Sequence, residues 1–287
     1  MNQNQNYNYI PFQLIKVEDV SIGLRQIGAG ANLVFIHGFP THGYTWRKIL
    51  PKLTKKFKCH IVDLPGLGDS YWSENTDFKS AAQARYVSTL LAKQKIKKYS
   101  IIAHNSGATI ARLIAINKPN EVENLILINT EIPNHRPPWI PFYQKIGLLP
   151  YAPFVIRKLF QQSWFIKSGM GLRELYSDKQ MLDEEINIGP YLNPVKRSYK
   201  KTIGAFKYLK GIDWKLVDQF EELHQKIKAN VLFLWGADDK TFPIELGKEM
   251  AKQFKCNYKF VTIENASLLP HEEKPYLVAN EILQYVK

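Results

Sequence analysis

Three features of this 287-residue chain predict an α/β fold, a mostly parallel sheet of about eight strands with an inserted helical cap. Continuous apolar runs, which suit strands covered on both faces, recur along the chain. Segments of helical period separate those runs, and such alternation builds a parallel sheet with helices on both faces. The strand pattern stops between Glu131 and His224, where prolines and aromatic residues take over. The expected division is a core of residues 1–130 and 225–287 and a cap of residues 131–224.

In chain order, Gln13–Glu18 and Ser21–Ile27 alternate apolar and polar residues, as half-buried antiparallel edge strands do. The continuous runs are Ala31–Ile36, Phe57–Val62, Tyr99–His104, Leu125–Asn129 and Val231–Trp235, with Tyr258–Ile263 as the last strand. Helices are expected over Tyr44–Lys56, Ala81–Lys93, Ala108–Asn117, Pro243–Phe254 and Pro275–Val286. The cap opens with six of the chain's 16 prolines between Glu131 and Pro153, a density that interrupts helices. Residues 131–220 also carry 15 of the 36 aromatic side chains. Part of that excess must pack the cap onto the core, and the rest is expected to line a pocket.

Composition excludes several classes of function. With 45% hydrophobic and 23% charged residues the chain is globular rather than disordered. No apolar run reaches the roughly 20 residues of a bilayer span, and the polar start is no secretory signal. Two cysteines are too few for a disulfide framework or a cysteine metal site, so the reducing cytoplasm is the expected compartment. The charge of +13 is scattered in short lysine clusters without a nucleic-acid motif, which reads as a solvated surface. No cofactor, metal or nucleic-acid partner is expected.

Ligands of open α/β sheets bind at the carboxyl ends of the strands, so the turns there carry the chemistry. Those turns read His37-Gly38-Phe39-Pro40, Asp63-Leu64-Pro65-Gly66-Leu67-Gly68-Asp69, Ala103-His104-Asn105-Ser106-Gly107-Ala108 and Trp235-Gly236-Ala237-Asp238-Asp239. Taken in this order, the motifs resemble the α/β-hydrolase superfamily, nearest the branch of haloalkane dehalogenases, epoxide hydrolases and fluoroacetate-type dehalogenases. The resemblance implies an α/β-hydrolase fold, with the backbone N–H groups of Phe39 and Ser106 facing a developing oxyanion.

The same resemblance places the nucleophile elbow at Ala103–Gly107, because small residues are needed on either side of its strained apex. The apex is then Asn105, where this branch carries Asp, and a neutral amide is a poor nucleophile. Asp239 matches the acid that orients the base, and Glu131 occupies an alternative acid position. Counting back from Pro275 through Glu273 and His271 puts Leu268 where the base histidine belongs. Leucine cannot take a proton. A three-residue shift of that loop would offer His271 instead.

Three readings follow from these substitutions. The first is an enzyme acting on an apolar small molecule, repurposed for non-hydrolytic, acid–base or electrostatic chemistry of cyclase, lyase or isomerase type. The second is a non-catalytic binder of such a molecule. The third is a hydrolase of epoxide, haloalkane or ester type that uses His271, Ser106 or a deamidated Asn105.

Overall fold

The computed structural model describes residues 7–182 and 184–286. Its sheet has eight strands: β1 (Phe12–Val17), β2 (Val20–Ile27), β3 (Ala31–Ile36), β4 (Phe57–Asp63), β5 (Tyr99–His104), β6 (Val122–Ile128), β7 (Asn230–Gly236) and β8 (Tyr258–Ile263). They lie in the order β1-β2-β4-β3-β5-β6-β7-β8. β2 runs antiparallel to both β1 and β4, and every other pairing is parallel.

The continuous apolar runs are central strands because both of their faces are covered. Along β3, Val34 and Ile36 pack into one buried cluster with Val87 and Ile114. Leu33 and Phe35 point the other way, into a cluster with Trp46, Leu50, Val278 and Ile282. Helices α1 (Ser80–Lys93) and α2 (Ser106–Asn117) thus lie on one face, and α9 (Pro275–Tyr285) lies on the other.

Between β6 and β7 the described chain forms only helices and turns. The longer helices are α3 (Trp139–Ile146), α4 (Ala152–Leu159), α5 (Gly189–Arg197), α6 (Tyr199–Lys210) and α7 (Trp214–Leu223). α8 (Ile244–Ala251) follows β7. Ile140, Tyr143, Ile156, Leu209 and Ile212 form a small core of their own in this segment.

Two local expectations differ from the structure. Pro141 and Pro153 do not interrupt helices but sit in the first turns of α3 and α4, where a missing N–H breaks no bond. The helix expected over Tyr44–Lys56 is instead a 3-10 turn, Gly43–Lys48, followed by a separate short helix, Leu50–Leu53. Pro51 at the start of the second piece has no N–H with which to continue the first.

Candidate active site

The strand order reverses at β3, and this reversal opens a crevice beyond the carboxyl ends of β3 and β5. The turns His37–Pro40 and His104–Gly107 meet there. Asn105 forms the apex of the second turn, with φ 53° and ψ −132°. That left-handed conformation is strained for a residue with a side chain, and neighbouring strands hold it in place. Its N–H donates to the carbonyls of Asn129 (2.9 Å) and Ile128 (3.1 Å). Its own carbonyl accepts from Thr130 Oγ1 at 3.1 Å. A Cβ on Gly107 would lie 2.2 Å from the His37 carbonyl, and one on Gly38 would lie 2.6 Å from Asn105 Cβ. Only glycine allows the two turns to pack this closely.

The chemistry at this elbow is neutral. Asn105 Oδ1 accepts from the Ser106 N–H and caps α2, while the buried Nδ2 has no partner among the described residues. The Phe39 N–H donates to Ser106 Oγ at 3.1 Å. Ser106 Oγ lies 2.9 Å from the Tyr208 hydroxyl, which α6 brings down from above. Both N–H groups expected to face an oxyanion are therefore engaged by side chains. In the sequence Tyr208 is only one of the 15 aromatic residues between 131 and 220. Its buried hydroxyl needed a partner, but nothing in the chain's order named Ser106 as that partner.

Asp239 and Glu131 both reach the elbow through short relays. Asp239 Oδ2 accepts from Asn129 Nδ2 at 2.6 Å, and the Asn129 carbonyl is the acceptor already described for the Asn105 N–H. Asp239 Oδ1 accepts from the N–H groups of Thr241 (2.7 Å) and Phe242 (3.2 Å). Burial pushes this carboxyl up to about 7, against the pull of those hydrogen bonds. Glu131 Oε2 accepts from Thr109 Oγ1 at 2.8 Å, and its Oε1 is buried without a partner among the described residues. Burial raises Glu131 too, partly offset by the guanidinium of Arg112. Arg112 donates to Thr109 Oγ1, Thr130 Oγ1 and the Glu131 carbonyl, and desolvation lowers it to about 10.

Leu268, expected at the base position, is buried, and its carbonyl accepts from His104 Nε2 at 2.9 Å. His104 is thereby the Nε2–H tautomer, lowered to about 4 by burial, and it ties the elbow to this loop. His271 is buried elsewhere, with its ring 4.7 Å from Trp46 and 4.9 Å from His104. Its Nε2 lies 2.7 Å from Thr45 Oγ1, whose own proton goes to Glu272 Oε1. Desolvation keeps the His271 imidazole neutral.

Above the elbow lies a largely apolar cavity of about 100 Å³, walled by Phe39, Tyr143, Phe160, Leu209, Thr241 and Leu268 among others. Asn105, Ser106, Asp239 and His271 do not line it. The Phe39 ring lines the cavity and stacks on Tyr208, with ring centroids 6.4 Å apart. Among the described residues no group of three or more His, Cys, Asp or Glu side chains could hold a metal ion.

Residues 31–275 match the family model described as alpha/beta hydrolase fold. The chain belongs to that family. Within it, the chain is similar to "Uncharacterized hydrolase YugF" of Bacillus subtilis, at 26% identity over 89% of each chain. It is also 26% identical to the pimeloyl-[acyl-carrier protein] methyl ester esterase of Wigglesworthia glossinidia brevipalpis, covering 92% of this chain and 96% of that one. Epoxide hydrolase 3 of Xenopus tropicalis is 23% identical, covering 95% of this chain and 77% of its own length. Among solved structures, the epoxide hydrolase CorEH shares the fold of this α/β-hydrolase-family chain with a TM-score of 0.79 at 22% identity. That match covers 96% of this chain and 98% of the other.

Proposed function

We propose that this α/β-hydrolase-family chain is an enzyme turned away from covalent hydrolysis, acting on an apolar small molecule with one neutral oxygen acceptor. Residues 131–224 serve as the cap that closes over the ligand. The observation that carries this reading is the cluster formed by the Phe39 N–H, Ser106 Oγ and Tyr208 hydroxyl beside an apolar cavity whose base position is Leu268. When the Ser106 hydroxyl turns aside, a ligand oxygen can take its place on the Phe39 N–H. Hydrogen bonds to that oxygen polarise the ligand, as rearrangement, cyclisation or elimination would require. Asn105 can donate through its free Nδ2, whereas the ionised Asp of related enzymes could only accept. Asp239 and Glu131 support the elbow through Asn129 and Thr130 and keep its surroundings nearly neutral.

A second reading, a binder without turnover, is favoured by the histidines. His104 and His271 both lie off the cavity wall, and His42, which lines it, has both ring nitrogens engaged. Neither reading leaves a free imidazole as general base, which also disfavours rescue of hydrolysis by His271.

The test is turnover of p-nitrophenyl esters, epoxides and haloalkanes by the wild type, Asn105→Asp and the Asn105→Asp/Leu268→His double variant. The wild type and the single variant are expected to show no hydrolysis above background, so that only the double variant can gain it. Robust wild-type hydrolysis, lost in Ser106→Ala and with Asn105 intact by peptide mass, would overturn the proposal.

A further inference from the structure

The segment that roofs the cavity has an outer surface unlike the rest of the molecule. Eight of the 19 large hydrophobic side chains exposed among the described residues fall between Phe142 and Met170. Five of them, Phe142, Leu149, Tyr151, Val155 and Met170, line one open groove of about 510 Å³. Leu148, Phe154 and Trp164 are exposed in the same segment, with Tyr151 79% and Trp164 66% exposed. Contiguous apolar surface of this kind marks a contact site rather than ordinary solvent-facing surface.

The segment that forms the groove is basic, with Arg136 and Arg173 already paired to Asp218 and Glu174 outside it. Residues 132–173 contain six Lys and Arg and no Asp or Glu in 42 positions. Lys145, Lys158 and Lys167 are exposed, and Lys158 Nζ lies 5.9 Å from the centre of the Phe154 ring. Tryptophan, tyrosine and leucine flanked by lysine is the composition that settles at the headgroup level of a bilayer. The groove also shares two wall residues, Ile156 and Met170, with the cavity below it. An apolar molecule dissolved in a membrane would therefore meet the cavity roof directly.

We propose that the α3–α4 face of the cap docks on the surface of an anionic phospholipid bilayer. Phe142, Leu148, Leu149, Tyr151 and Trp164 enter the headgroup layer, and Lys145, Lys158 and Lys167 face lipid phosphates. This surface stands apart from the chemistry proposed above, because it depends on no residue of the elbow.

The experiment is co-sedimentation of the full chain with phosphatidylcholine vesicles, with and without phosphatidylserine. Binding is expected to be stronger on the anionic vesicles and to fall as salt rises. Lys145→Gln, Lys158→Gln and Lys167→Gln should each weaken it by about fivefold, the equivalent of about 1 kcal/mol per cation. Leu148→Ser/Leu149→Ser should weaken it by about tenfold or more on both kinds of vesicle. All five positions are exposed, and an unchanged circular dichroism spectrum checks that each variant remains folded. Failure to sediment with anionic vesicles, or binding indifferent to both sets of variants, would overturn the proposal. So would a wild-type dimer that the double leucine variant dissociates, because the face would then belong to a second copy of the chain.

Discussion

Asp239 and Glu272 are both buried carboxylates near the carboxyl end of the sheet, yet their surroundings push them in opposite directions. Glu272 accepts from Arg47 Nη2 (2.9 Å), Thr45 Oγ1 (2.8 Å), the Tyr176 hydroxyl (3.0 Å) and the Tyr191 hydroxyl. The Arg47 guanidinium outweighs desolvation and holds Glu272 below its ordinary value. Asp239 has only neutral donors, from Asn129, Thr241 and Phe242, and burial raises it. Equal burial with unequal counter-charge decides which group is ionised. Leu268 stands where the resemblance would place a base histidine, and none of the groups that donate to Asp239 is cationic. The ion pair that remains is a clasp, joining Arg47 and Glu272 of the core to Tyr176 and Tyr191 between β6 and β7.

The largest effect should come from breaking that clasp. Glu272→Ala leaves the buried Arg47 guanidinium without a counter-ion, which costs about 3–5 kcal/mol of stability. Asp239→Asn removes no ion pair and should cost less than half as much at neutral pH. Urea denaturation of both variants checks the order, and equal losses would dissolve the contrast between the two sites.

The pH dependence sharpens the same contrast, because the two groups have opposite signs. Glu272 is lowered from 4.5, so its contribution is present above that value and is lost as the pH falls through its depressed folded value. Asp239 is raised from 3.8 to about 7, so its contribution is full below about pH 4 and is lost as the pH rises to about 7. Between those limits Asp239→Asn should show a flatter stability profile than the wild type. Parallel profiles for the two proteins would show that Asp239 ionises normally.

Much of the frame was legible because it rests on local pattern. β3, β5 and β8 coincide with continuous or alternating apolar runs, and the turn marked by the small residues around Asn105 lies between β5 and α2. Local pattern could not show pairings between distant segments. Arg47 and Glu272 are 225 positions apart, Ser106 and Tyr208 are 102 apart, and Asn129 and Asp239 are 110 apart. Neither the closure of the expected oxyanion pair nor the clasp has any sequence motif. Both arise when residues between β6 and β7 pack onto the carboxyl end of the sheet and buried hydroxyl and N–H groups find the nearest acceptor.

The smallest effect is expected at the Ser106–Tyr208 contact, and it bears most directly on what the elbow does. Tyr208→Phe removes one neutral hydrogen bond and should cost about 1 kcal/mol. Ser106→Ala should cost more, about 1–3 kcal/mol, because it also leaves the Phe39 N–H without an acceptor. The two residues share one contact, so the double variant should lose less than the sum, with a coupling of about 0.5–1.5 kcal/mol in a double-mutant cycle. Ligand affinity then discriminates. If a ligand oxygen displaces Ser106 Oγ from the Phe39 N–H, Ser106→Ala bares that donor and should strengthen binding of a neutral carbonyl or epoxide compound. If the Ser106 hydroxyl itself holds the ligand, the same variant should weaken binding, and the proposed turning aside of that side chain is wrong.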